Sequence, residues 1–118
     1  MNRLTIVGIF DRGVANSERV AISVSVEANL TYYAVLLSAY TTGKTGVLAG
    51  SRLAYWFNPA IVKPGDWVIL YSGPGPNATE KRTDGGTNHF FHWGLQNTIW
   101  HPPESCAILV ELNTWATK

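Results

Sequence analysis

A chain of 118 residues, 46% of them hydrophobic and only 14% charged, has the length of one folded domain and too little for two. Nine basic and eight acidic residues leave a formal net charge of +1, and the basic ones are scattered rather than gathered into a stripe, which excludes strong sequence-independent nucleic-acid binding. The single cysteine, Cys106, excludes an intramolecular disulfide, and no apolar run approaches the roughly 18 residues of a membrane span.

The expectation is therefore one domain over residues 1–118, soluble and cytoplasmic, with no membrane partner. Its charged share lies well under the roughly 25% usual for soluble domains, while five Trp, five Tyr and four Phe are more large rings than a small core readily uses. Either some rings line a ligand site or a face is buried against another subunit.

Leu4 to Phe10 reads as a short apolar strand ended by Asp11-Arg12-Gly13. In Glu18 to Glu27, Val20, Ile22, Val24 and Val26 alternate with small or polar residues, a strand with one buried face. Leu30 to Tyr40 is apolar on both faces; a strand is expected, with a helix closed by Gly43 as the alternative. Thr41 to Ser51 is turn-like. Gly43-Lys44-Thr45 has the look of the end of a phosphate-binding loop, but Ser38 stands where that loop needs Gly, so a turn is expected.

Leu53 to Phe57 is an aromatic strand broken by Asn58-Pro59. In Lys63-Pro64-Gly65-Asp66, Pro64 pre-sets φ and Gly65 supplies the positive φ of a type II turn. Trp67 to Tyr71 is the next strand. Gly73 to Gly86 holds four glycines and two prolines, a composition read as a long loop without strand or helix. His89 to Gly94 and Cys106 to Leu112 are the last two strands, joined by a loop carrying Trp100. About seven strands without an amphipathic helix predict an all-β domain, an immunoglobulin-like antiparallel β-sandwich, with a small closed β-barrel as the alternative.

The order of these segments resembles the lamin tail domain family. Glu18-Arg19-Val20-Ala21-Ile22 is similar to an early strand of that family. Asn29-Leu30 and the following strand are similar to a second segment, with Tyr33 where Trp is usual. Phe57-Asn58-Pro59, Lys63-Pro64-Gly65-Asp66 and Val68-Ile69-Leu70 are similar to its hairpin. Leu95-Gln96-Asn97 and Ala107-Ile108-Leu109 are similar to its late strand pair. The resemblance implies an immunoglobulin-like sandwich that works as a binding or interaction module rather than an enzyme.

Three function classes remain. The first is a non-catalytic interaction module acting as a homo-oligomer, since three segments are apolar on both faces; Tyr33, Trp56, Phe90 and Trp93 are its candidate interface. The second is a protein that binds or sequesters a small anionic, nucleotide-like ligand. Its pocket would combine Lys81 and Arg82 at the tip of the glycine-rich loop with Tyr71, His89, Phe91, Trp93 and Trp100. The third, a metalloenzyme using His89, His92 or His101 with Asp84 or Glu104, is disfavoured, because residues three apart on a strand face opposite ways and no zinc spacing is matched. Cys106 reads as a buried, inert thiol. No catalytic residue, metal or cofactor is expected.

Overall fold

The computed structural model describes residues 2–39 and 53–118; the turn expected over Thr41 to Ser51, with Gly43-Lys44-Thr45, lies outside the described residues. Among the described residues there are ten strands and one single-turn 3-10 helix, Leu30–Tyr32, but no α-helix. The strands are β1 (Leu4–Phe10), β2 (Arg19–Val24), β3 (Ala28–Asn29), β4 (Tyr33–Ala39), β5 (Leu53–Trp56), β6 (Ile61–Val62), β7 (Trp67–Tyr71), β8 (Ala78–Lys81), β9 (Thr87–His92) and β10 (Ser105–Glu111). They form a five-stranded sheet in the order β1-β2-β7-β9-β8, a three-stranded sheet β10-β4-β5, and a small pair β3-β6. The fold is all-β. No sheet closes on itself, so the alternative of a closed barrel is not what forms among the described residues.

All seven expected strands are present, and three more join them. β3 and β6 are two-residue bridges, Ala28 to Val62 and Asn29 to Ile61, too short to show any period in sequence. β8 is a correction, since it lies inside the glycine-rich stretch read as strandless. All of its side chains are exposed, so no hydrophobic pattern marks it; its backbone pairs with β9 from Ala78–Phe90 to Lys81–Thr87. The turn between them is closed by the Arg82 amide donating to the Gly86 carbonyl at 2.8 Å, with Gly85 at φ +93°. The pairing is also not wholly antiparallel, because β9 runs parallel to β7. The chain leaves β7, builds β8 at the sheet edge, then turns back to place β9 between them. The Pro64-Gly65 turn forms as read, with Gly65 at φ +89° and the Asp66 amide donating to the Lys63 carbonyl at 2.9 Å.

One core lies between the two larger sheets. Val20, Ile22, Val24, Val68, Leu70 and Phe91 come from the five-stranded sheet; Tyr33 and Val35 come from β4. Strand alternation sorts the faces: His89 and Phe91 point in, while Phe90 and His92 point out. Of the stretch Leu30 to Tyr40, the described residues divide into the 3-10 turn, which buries Leu30, and then β4, Tyr33–Ala39.

A buried carboxylate fixes one end of this core. Glu18 is 1% exposed. Its Oε1 accepts from the Gly13 amide at 2.9 Å and the Trp100 amide at 3.3 Å. Its Oε2 accepts from the Ser72 hydroxyl at 2.5 Å and the Ile99 amide at 2.8 Å. Backbone amides from two separate loops thus have a single acceptor in place of water. Removing the acceptor leaves several buried donors unsatisfied, each costing about 1–3 kcal/mol without full additivity. Glu18→Ala is expected to lower unfolding stability by about 3–5 kcal/mol and Glu18→Gln by about 2 kcal/mol, read from the urea midpoint. A loss below about 1 kcal/mol in Glu18→Ala would mean that water replaces the carboxylate.

Candidate functional site

The residues expected to form a pocket on the glycine-rich loop do not share one site: Trp93 and Trp100 meet in the interior, while Tyr71, Lys81 and Arg82 lie apart from them. Arg82 is tied down by its own turn: Nε faces the Asp84 carboxylate at 3.2 Å, Nη1 donates to Asn88 Oδ1 at 2.8 Å, and Nη2 donates to the Gly65 carbonyl at 2.5 Å. Lys81 is exposed at the end of β8. His89, Phe91 and Trp100 are buried. Trp93 packs inward against Tyr55 and Trp100, with ring centroids 5.8 and 6.4 Å away. Tyr71 lies on the outer face of the five-stranded sheet, stacked on His92 at 5.1 Å and 10°. Of the four residues expected at an oligomer interface, Tyr33 is buried, Trp93 is half-buried against the core, Phe90 lies on the outer sheet face and Trp56 is 49% exposed. No group of three or more His, Cys, Asp or Glu that could hold a metal ion occurs among the described residues.

The structure gathers a different set of residues at one end of the molecule. Asn29 starts it: its side-chain oxygen caps the 3-10 turn by accepting from the Thr31 amide at 3.0 Å. The turn's exit sends Tyr32 outward and Tyr33 inward. Tyr33 is then paired directly with Glu111 across the β4–β10 ladder, which sets both side chains on the same face. Arg3, just before β1, reaches across and donates from Nη1 to the Glu27 carbonyl at 2.8 Å. Two adjoining clefts share Arg3, Tyr33 and Glu111. One, of about 250 Å³, runs along Asn2 to Ile6 and Leu109. The other, of about 440 Å³, is bounded by Glu27, Asn29, Tyr32, Ile61 and Asn113.

Tyr33 is the unusual member. It is 4% exposed, and its hydroxyl faces the Glu111 carboxylate without meeting any partner at ordinary hydrogen-bond distance. Burial, then the charge of Glu111 and the phenol's long polar contact with that carboxylate, raise the phenol's pKa, so the group stays protonated at neutral pH. A buried hydroxyl without a partner is costly, and native folds keep few of them.

An aromatic corner adjoins the larger cleft. Trp115, from the segment after β10, packs against Tyr32 at 5.9 Å and 51° and against Trp56 at 5.2 Å and 77°. All three rings stay about half exposed: Tyr32 45%, Trp56 49%, Trp115 48%. The Trp56 indole N–H donates to the Thr31 carbonyl at 2.6 Å, which holds that ring in place. Tyr32 belongs to both features, lining the cleft and touching Trp115.

No family model, curated protein or solved structure matches the chain. The site therefore rests on geometry alone. Sequence reading missed Arg3, Tyr32, Glu111 and Trp115. One signal was available: Trp115 is the one aromatic ring in the tail LNTWATK, where Leu112 is the other large apolar residue. For Arg3 and Glu111 there was none, because only the β4–β10 register and the start of β1 bring them together.

A second buried polar group, Asp66, serves the turn before β7. Its carboxylate accepts from the Lys63 and Thr87 amides, both at 3.0 Å, and lies 2.9 Å from His89 Nε2. Burial alone would raise its pKa, but the Lys63 amide, the His89 ring and the Thr87 amide together hold it below the ordinary carboxylate range. The folded pKa is depressed, so ionised Asp66 contributes stability in full above the unfolded value of about 3.9, and that contribution is lost as pH falls through the folded value. Asp66→Asn is expected to cost about 1–3 kcal/mol at neutral pH. Thermal melts should show the gap between wild type and variant narrowing below about pH 4. Parallel acid limbs would assign the acid loss to other groups.

Proposed function

We propose that this protein is a non-catalytic binding module whose ligand seat is the pair of clefts around Tyr33. The single observation that carries the reading is the buried Tyr33 hydroxyl, which faces Glu111 but meets no partner at ordinary hydrogen-bond distance, on a residue that lines both clefts. A bound polar group satisfies it; without one its desolvation is a standing cost. The larger cleft falls within the usual range of small-molecule sites. The buried carboxylates elsewhere support the non-catalytic part. Glu18 and Asp66 both spend their oxygens on backbone amides, and Asp66 on His89 besides. Burial also pushes the Cys106 thiol up, away from the nucleophilic thiolate. The two facing sheets and the Pro64-Gly65 turn are consistent with an immunoglobulin-like sandwich of the lamin tail kind, in which binding sites rather than chemistry vary.

A second reading, self-association, rests on a different feature. Gly8, Ala21, Ile69, Phe90 and Ala78 are successive ladder partners, a row across all five strands of the larger sheet that contains no charged residue. Ile69 and Phe90 lie on the face opposite the core. A second copy laid against this row would cover it. Sedimentation velocity at micromolar concentration should then give a dimer mass that Phe90→Glu reduces to a monomer; a monomeric wild type removes this reading.

The cleft reading is tested by amide-resolved NMR of the isotope-labelled protein against a small-molecule fragment library. Binders should shift amides in residues 2–6, 27–33 and 109–113. Tyr33→Phe should weaken them about 2- to 10-fold, one hydrogen bond's worth. The same variant should not lower the melting temperature, because it removes an unpaired buried hydroxyl rather than a bond. No binders, or binders that map only elsewhere, would end the reading, and a Tyr33→Phe loss of about 1 kcal/mol in stability would show the hydroxyl is satisfied internally.

A further inference from the structure

The chemistry of the walls narrows the ligand, and this step rests on the cleft reading above. Arg3, Glu27, Asn29, Tyr33, Glu111 and Asn113 bring a guanidinium, two carboxylates, two amides and a phenol to one concave surface. Two carboxylates against one guanidinium repel a phosphate or another strong anion, which removes the nucleotide-like ligand from this place. The guanidinium in turn opposes a simple cation. What the mixture suits is an uncharged molecule carrying several hydroxyls, each able to donate to a carboxylate or amide oxygen while accepting from an N–H or from the Tyr33 phenol. The Tyr33 hydroxyl meets no partner at ordinary hydrogen-bond distance, so a ligand oxygen can compete with the facing Glu111 for its proton.

The aromatic corner supplies the other half of such a recognition surface. Tyr32 lines the cleft and leads on to Trp115 and Trp56. The three rings are tilted at 51° and 77° to one another, so they form separate faces rather than one flat shelf. A flexible ligand with alternating apolar and hydroxyl-bearing surfaces fits this shape: its C–H faces lie on the rings while its edges reach the polar walls. We infer that the cleft and the Tyr32–Trp115–Trp56 corner together bind a neutral oligosaccharide, one sugar unit held by its hydroxyls around Tyr33 and a neighbouring pyranose ring lying on Tyr32 and Trp115.

The test is a printed array of neutral and charged glycans probed with the 118-residue chain, followed by calorimetric titration of the strongest retained oligosaccharide. Neutral glycans should be retained. Trp115→Ala should weaken binding about tenfold or more and Glu111→Gln several-fold, with both variants still folded by their amide NMR spectra, because Trp115 is half exposed and Glu111 is exposed. Retention of acidic glycans alone, or affinity unaltered in both variants, would overturn the assignment. An array without any retained glycan would also overturn it. In that case, NMR fragments still mapping to the cleft would leave the binding-module reading standing, and their absence would remove both.

Discussion

The fold depends on how the loop before β10 is held, and the Glu18 carboxylate does this. Residues 95–104 have no regular structure, yet they place Trp100, which is wholly buried, into the core. A buried irregular segment needs acceptors for its amides. Glu18 accepts from the Ile99 and Trp100 amides, while Arg12 donates to the Trp100 carbonyl at 3.2 Å. Both polar groups of the Trp100 backbone are therefore met by side chains from one short stretch before β2. Arg12 also donates to the Ser105 carbonyl at 3.1 Å, at the first residue of β10. The position of that strand follows, and with it the register that pairs Tyr33 with Glu111 at the far end.

Three buried polar side chains can be compared on this basis. Glu18 and Asp66 are saturated with hydrogen bonds from the backbone. Their position in low-dielectric surroundings is explained by the loops they hold, and nothing is left over for a ligand. Tyr33 is buried to a similar degree with no partner for its hydroxyl at ordinary hydrogen-bond distance. Satisfied groups account for structure; the unsatisfied one needs a further explanation. That difference, more than the number of residues around a cavity, sets the Tyr33 end apart from the turn around Asp66 and His89.

Much of the fold could be read from the chain because the strands that make the core carry a two-residue period or a dense apolar run. Val20-Ala21-Ile22 and Trp67 to Tyr71 each announce one buried face, and Pro64-Gly65 announces the turn that leads from β6 into β7. β8 could not be read, since its pairing is supplied by the β9 backbone and none of its side chains is buried. The candidate site was less readable still. Arg82 looked free because Asp84, Asn88 and the Gly65 carbonyl reach it only through the folded turn. Tyr33 looked like a surface ring because Tyr32 and Tyr33 are equivalent in sequence. The 3-10 turn capped by Asn29 is what sends one out and the other in.

The aromatic excess that first suggested a ligand or a partner divides along the same lines. Tyr55, Phe57 and Phe91 meet edge to face with centroids 5.1 to 6.4 Å apart, and Trp93 links them to Trp100. These rings fill a core that aliphatic side chains from β2 and β7 only partly occupy, so their abundance is explained by packing. Tyr71 and His92 cover one another on the outer sheet face. Phe10 lies under the Arg19 guanidinium, Trp67 and Phe90 are partly buried on the outer face of the larger sheet, and Tyr33 is in the core. Tyr32, Trp56 and Trp115 differ from all of these: each keeps about half its surface in water while touching another ring. Holding Trp56 in place by its indole N–H, as the Thr31 carbonyl does, limits the ring's freedom without burying it. A ring fixed and left exposed loses less entropy when something binds to it. The surplus of large side chains thus concentrates where the polar cleft opens, and the two features are most simply understood as parts of one surface.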